Sequence, residues 1–191
     1  MLSLRYFFSL SLLALLMSSF ITKSTREPDV YKFNTSQSSI TWTSNAEDGT
    51  KHTGQLKFKS GTLKIDVKTL LGGFSYINMQ SLSCTDIKDE GFNREYIVEM
   101  RSAEQLDVVK YKKATLKVVK AKRLDVPEGQ PNYDIDAVVT LKGIKTNVNF
   151  KATIVLKKGK LTMDAKFTLP GDKTSIPYDM DWVLKIVANK A

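Results

Sequence analysis

The chain has 191 residues, with 29 Lys and Arg against 20 Asp and Glu for a net charge of +9. Its single cysteine, Cys84, excludes an internal disulfide, and its single histidine, His52, excludes a multi-histidine metal centre. One His and one Cys fall short of the about three or four protein ligands that zinc requires, so neither a metal nor a cofactor is expected. The lysines are spread along the chain, as at Lys57, Lys59, Lys64 and Lys68, and are not gathered in one arm. That pattern belongs to solvated strand faces and guarded sheet edges, and it argues against nucleic acid as a partner. Two weaker options stay open: a salt-sensitive peripheral contact with an anionic membrane surface, and a homodimer.

Residues 1–24 read as a signal peptide. Arg5 supplies a short positive start, Tyr6 to Met17 an apolar stretch, and Ser18-Ser19 a small-residue exit before the polar Thr22 to Pro28. The apolar run is shorter than the about 20 residues that span a bilayer core, which favours cleavage over anchoring. No cysteine follows it to take a lipid. The expected mature protein is one domain, residues 25–191, periplasmic or secreted, and long enough for one core.

Beyond the leader the dominant signal is period two. Ile40 and Trp42 open it, Leu56 and Phe58 follow, then Leu63, Ile65 and Val67, with Gly49, Gly54 and Gly61 read as punctuation. Phe74 to Met79 follows a break at Gly72-Gly73. From Asn93 to Val109 the apolar residues change to helical spacing (Tyr96, Ile97, Met100, Ala103, Leu106), and Ser102 with Gln105 predicts the start of a second short helix. Leu116 and Val118 resume a strand before the loop at Pro127 to Pro131, and Ile135 to Leu141 alternates up to Lys142-Gly143. The runs Val148 to Leu156 and Leu161 to Leu169, joined by Lys157-Lys158-Gly159-Lys160, predict a hairpin. Ile176 through Trp182, Leu184 and Ile186 reads as the closing strand. About eight short strands with tight connections predict an all-β fold, an eight-stranded antiparallel barrel with a short helical insert. A barrel is preferred to a sandwich because closure removes edges and leaves room for side chains and one ligand.

The sequence holds little that could support catalysis. A Cys84–His52 nucleophile pair has no supporting motif, and a lone histidine more often satisfies a backbone hydrogen bond. Asp134/Asp136 and Asp179/Asp181 are each two apart on strand-like segments, which fits a solvated outer face better than acid–base work. There is no glycine-rich phosphate loop and no nucleophile elbow. The protein is therefore not expected to be an enzyme. What remains is apolar and aromatic, and composition alone does not separate a filled core from a cavity.

Several segments, in order, resemble the YceI-like family of lipocalin-like, polyisoprenoid-binding proteins from about Asp29 onward. They are Ser39-Ile40-Thr41-Trp42, His52-Thr53-Gly54 with Gly61, Gly72-Gly73-Phe74 leading to Asn78-Met79 and Ser81-Leu82, Ser102 to Tyr111 followed by Ala114-Thr115-Leu116, and Tyr133 followed by Val139 to Lys145. The chain departs from the family's pattern at Gln105-Leu106 in place of paired aromatics, at Lys112 in place of proline, at Gly171-Asp172-Lys173 in place of an Asp-Arg motif, and at Asn78 where Asp is common. The resemblance implies a lipocalin-like barrel with a hydrophobic tunnel for an isoprenoid, an isoprenoid quinone or a fatty-acyl lipid. It implies Trp42, Phe58, Phe74, Tyr76, Leu106, Phe150, Phe167 and Trp182 as lining residues. His52, Tyr111 and Tyr178 become mouth or head-group contacts. The alternatives are a ligand-free structural or interaction barrel of the cell envelope, and an enzyme acting on such a lipid.

Overall fold

The computed structural model describes residues 26–46 and 48–191, so the expected signal peptide and its boundary lie outside the described residues. Among these residues, nine strands and one α-helix follow in chain order. The strands are β1 (Asp29–Phe33), β2 (Ser39–Asn45), β3 (Lys51–Asp66), β4 (Thr69–Cys84), β5 (Lys113–Arg123), β6 (Tyr133–Leu141), β7 (Ile144–Lys157), β8 (Lys160–Leu169) and β9 (Asp179–Lys190). The helix α1 (Glu90–Met100) stands between β4 and β5.

Every neighbouring pair is antiparallel, and the β3–β4 pairing closes the sheet on itself. β3 is long enough to take two partners on one edge. β2 pairs with its first part, Ile40 opposite Leu56, and β1 with its last, Asp29 opposite Ile65. Both also pair with β9, so nine strands fill eight positions of one barrel. The link between them is held by Ser38, whose hydroxyl donates to the Asn34 carbonyl at 2.8 Å and accepts from Val187 N at 3.0 Å. β1 is absent from the sequence reading because a five-residue segment shows too little alternation to register.

Alternation places one side chain in two inside the barrel. β8 shows it most plainly: Leu161, Met163, Ala165, Phe167 and Leu169 are buried, while Lys160, Asp164, Lys166 and Thr168 are exposed. The strand lysines Lys57, Lys59 and Lys64 are exposed on the outer face, as expected. Among the described residues, no helix is long and apolar enough to cross a membrane.

Tight turns set the register. Lys142-Gly143 and Lys158-Gly159 both have two consecutive residues at positive φ (51° and 80°, 51° and 77°), the two-residue turn whose twist matches its strands. The β3–β4 turn puts Val67 at φ 55° although Val is β-branched and exposed there. Left-handed backbone is costly for such a residue. Val67→Asn is expected to stabilise the barrel by about 1 kcal/mol, seen as a higher urea midpoint with unchanged slope.

Three expectations change. Gly54, Gly61 and Gly72-Gly73 do not punctuate strands; they lie inside β3 and β4. A Cβ at Gly61 would stand 2.3 Å from the Phe33 ring, and one at Gly73 2.4 Å from Leu63, so these glycines are dents that admit neighbouring side chains. No second helix starts at Ser102. Leu106 N donates to Met100 O, Asp107 N to Ser102 O, and Asp107 sits at φ 44°, so the chain coils back irregularly over the rim. The closing strand begins at Asp179 and not at Ile176, because Gly171–Lys173 forms a 3-10 turn and Thr174 bonds back to the Pro170 carbonyl at 2.9 Å.

Candidate functional site

The inner wall carries an aromatic belt. Trp42 on β2 is paired with Trp182 on β9, which is paired with Phe167 on β8. The Phe167 ring lies 5.9 Å from Trp182 and stacks on Phe150 of β7 at 4.9 Å and 21°. Both indoles are completely buried, and neither Nε1–H finds an acceptor among the described residues. The inward Ser75 hydroxyl on β4 is likewise unpartnered among the described residues. Such donors are expensive in an apolar interior, about 1–3 kcal/mol each, unless something accepts from them. Phe58, also buried, meets Phe33 edge-on at 5.2 Å.

Phe74 and Tyr76 are not on this wall. The buried residues of this stretch of β4 are Ser75, Ile77 and Met79, so their odd-numbered parity turns Phe74 and Tyr76 outward. The lining role implied for them by the family resemblance does not hold here, because the register shifts between β3 and β4 set which residues of this stretch face inward. The two rings pack edge to face at 4.8 Å and line an outer groove of about 560 Å³ with Phe33, and Lys113 Nζ stands 5.3 Å over Tyr76.

One rim is capped. It gathers the ends of β2 and β4, the starts of β3 and β9, and α1. Asp89 starts α1 by accepting from Phe92 N at 2.9 Å, so the helix begins at Glu90, ahead of the apolar spacing that starts at Asn93. Asn93 donates to Cys84 O and Ile87 O, binding the helix to the end of β4. Arg101 donates to Leu82 O at 2.8 Å, and Leu106, fully buried, anchors the coil that follows.

His52, half-buried at the start of β3, packs against Tyr96 of α1 with ring centroids 4.4 Å apart and the planes tilted by 53°. Tyr96 Oη meets Ser44 Oγ at 3.2 Å, and one turn on Tyr178 Oη donates to Met100 Sδ at 2.7 Å. Burial raises the pKa of both phenols, and that of Tyr178 goes far above its usual value, so they act as neutral hydrogen-bonding groups. The structure thus brings His52 and Tyr178 to one rim through α1. Tyr111 packs elsewhere on that side, against Gly143. Tyr96 and Met100 also belong to the cluster; in the sequence their spacing of four marks only a shared helix face.

Next to His52 stand Cys84 and Asp86. Asp86 accepts from the Cys84 thiol at 3.0 Å and from Thr53 N at 3.0 Å, and its other oxygen meets His52 Nδ1 at 3.1 Å. Partial burial works to raise the Asp86 pKa, but these bonds, led by the one from Cys84, outweigh it and hold the carboxyl at about 2. Burial, reinforced by that carboxylate, pushes the Cys84 thiol up. A thiol bonded to a carboxylate and not to the imidazole is the reverse of an activated nucleophile. The two aspartate pairs are structural: Asn149 donates to both Asp134 and Asp136, Asp181 accepts from Thr168 and pairs with Lys166, and Asp179 accepts from Gly171 N.

A closed antiparallel barrel of eight positions, apolar and ring-lined within and capped by one helix, is a lipocalin-like barrel protein. A model of the YceI-like domain matches residues 31–188, and the chain belongs to that family. Three solved structures share the fold at low identity. Burkholderia cenocepacia BcnA has TM-score 0.65 and 17% identity, over 82% of this chain and 99% of its own. A polyisoprenoid binding domain from Saccharophagus degradans has TM-score 0.59 and 11% identity, over 84% and 98%. The Campylobacter jejuni YceI protein has TM-score 0.53 and 12% identity, over 70% and 83%. No curated protein matches the sequence.

Proposed function

We propose that this is an exported, non-enzymatic binding protein that holds an apolar chain ligand inside its barrel. The ligand class is an isoprenoid, an isoprenoid quinone or a fatty-acid derivative. The observation that carries the reading is the pair of buried indole donors of Trp42 and Trp182, unpartnered among the described residues and set in a largely apolar wall. Hydrocarbon alone would leave them unsatisfied. A carbonyl on an otherwise apolar chain would accept from one or both, while each methylene withdrawn from water contributes about 0.8 kcal/mol. Support also comes from the family, one of binding proteins with no known catalysis, and from the polyisoprenoid-binding neighbour. Periplasmic placement agrees with what is general in the family.

The test is native mass spectrometry of mature protein purified gently from its own envelope, followed by organic extraction. A stoichiometric adduct of lipid mass is expected. Trp42→Phe/Trp182→Phe, which keeps rings and removes both N–H donors, is expected to bind a carbonyl-bearing chain at least about tenfold more weakly. A clean apo mass, with no uptake of added quinones or fatty acids, would replace this reading by a second one. That second reading is a filled structural barrel, and the observation favouring it is that Trp42 and Trp182 are 0% exposed.

A further inference from the structure

We propose that His52, Cys84 and Asp86 form a binding site for a divalent transition-metal ion of borderline softness, with Zn2+ as the best match. Their ligating atoms, an imidazole nitrogen, a thiol sulfur and a carboxylate oxygen, all lie within 4.8 Å of one another. Tetrahedral donors at ordinary zinc bond lengths stand roughly 3.3–3.8 Å apart. The cluster therefore needs only side-chain adjustment to surround an ion.

The fold holds the three in place before any ion arrives. Cys84 closes β4 and is paired with Gly54, two residues from His52, so both ligands sit on neighbouring strand ends. Thr85 N donates to Thr53 O at 2.9 Å, and Thr53 N to Asp86 at 3.0 Å, which fixes the link after β4. Asn93 of α1 secures that link from the other side. Binding exchanges the hydrogen bonds that join Asp86 to Cys84 and His52 for coordinate bonds, leaves the one from Thr53 N, and releases the thiol proton to solvent. Three protein ligands leave a fourth position for water or a small anion. An ion here clips the lead-in of α1 to the barrel rim, a role independent of what the barrel holds. The mixed set of one nitrogen, one sulfur and one oxygen also separates the ion class: Mg2+ and Ca2+ prefer oxygen, and the thiolate turns the site towards zinc.

The experiment is a cobalt titration of the mature chain after treatment with a chelator. A thiolate-to-cobalt charge-transfer band and tetrahedral visible bands are expected at one equivalent, both abolished by added Zn2+. Cys84→Ser removes the charge-transfer band. His52→Ala and Asp86→Asn each weaken Zn2+ binding by at least about tenfold. Far-UV circular dichroism checks that each variant keeps its strands, and the partly exposed Asp86 carries the test if Cys84→Ser does not fold. Zn2+ also raises the Tm of the parent protein and not of Asp86→Asn. Saturating cobalt without a charge-transfer band, or Zn2+ affinity unchanged in a folded Asp86→Asn, would overturn the proposal and leave a hydrogen-bonded cap.

Discussion

Gly54→Val is expected to leave little folded barrel at 37 °C. A Cβ at this position would stand 1.8 Å from the Ser83 carbonyl oxygen and 2.4 Å from the Trp42 ring. The first neighbour is backbone of the paired strand, which cannot rotate away, and the second is a ring with no exposure. Even Ala at Gly54 forces β3 and β4 apart beside the Cys84 pairing, and Val adds two methyl groups to the same space. Overpacking of this kind costs about 3 kcal/mol or more, a large share of the about 5–15 kcal/mol that a domain holds. The comparison that isolates the cause is Gly72→Ala, where the nearest atom to a new Cβ is 3.7 Å away. That variant is expected within about 0.5 kcal/mol of the parent by urea unfolding. Equal stability of the two variants would mean that the β3–β4 approach at Gly54 is looser than described.

Phe167→Ala carries the second large effect and decides what the interior is for. Phe167 is buried, stacked on Phe150 and beside Trp182. If the belt is simply a filled core, truncation leaves a cavity and costs about 3–5 kcal/mol, with no change in lipid uptake because there is none. If the belt yields to a chain ligand, the cost to the apo protein is smaller and the uptake of that ligand falls steeply. Denaturant unfolding and lipid uptake measured on the same preparation separate the two. Collapse of stability with uptake intact would remove Phe167 from the ligand's path and leave Trp42 and Trp182 to carry the binding reading.

Much of the barrel is written in the sequence. Alternation on β6, β7, β8 and β9 is a local property: inward residues must be apolar and outward ones need not be, so the pattern survives in one dimension. The helical spacing of Tyr96, Ile97 and Met100 and the lysine-glycine hairpin turns are local in the same way. Trp42, Phe150, Phe167 and Trp182 fall on the apolar side of their own strands and are buried, while their place along a tunnel was implied by the family resemblance alone.

Tertiary structure alone decided the rest, and the reason is distance along the chain. Whether a glycine ends a strand or makes room for a ring depends on what lies across the sheet, and Gly54 meets Trp42 and Ser83. The bulges of β3 and β4 alter which residues face inward, and that sends Phe74 and Tyr76 outside. His52 and Asp86 are 34 residues apart, and only the β3–β4 pairing sets them side by side with Cys84. Residue identity by itself determined a barrel with an apolar interior; strand pairing determined which side chains meet.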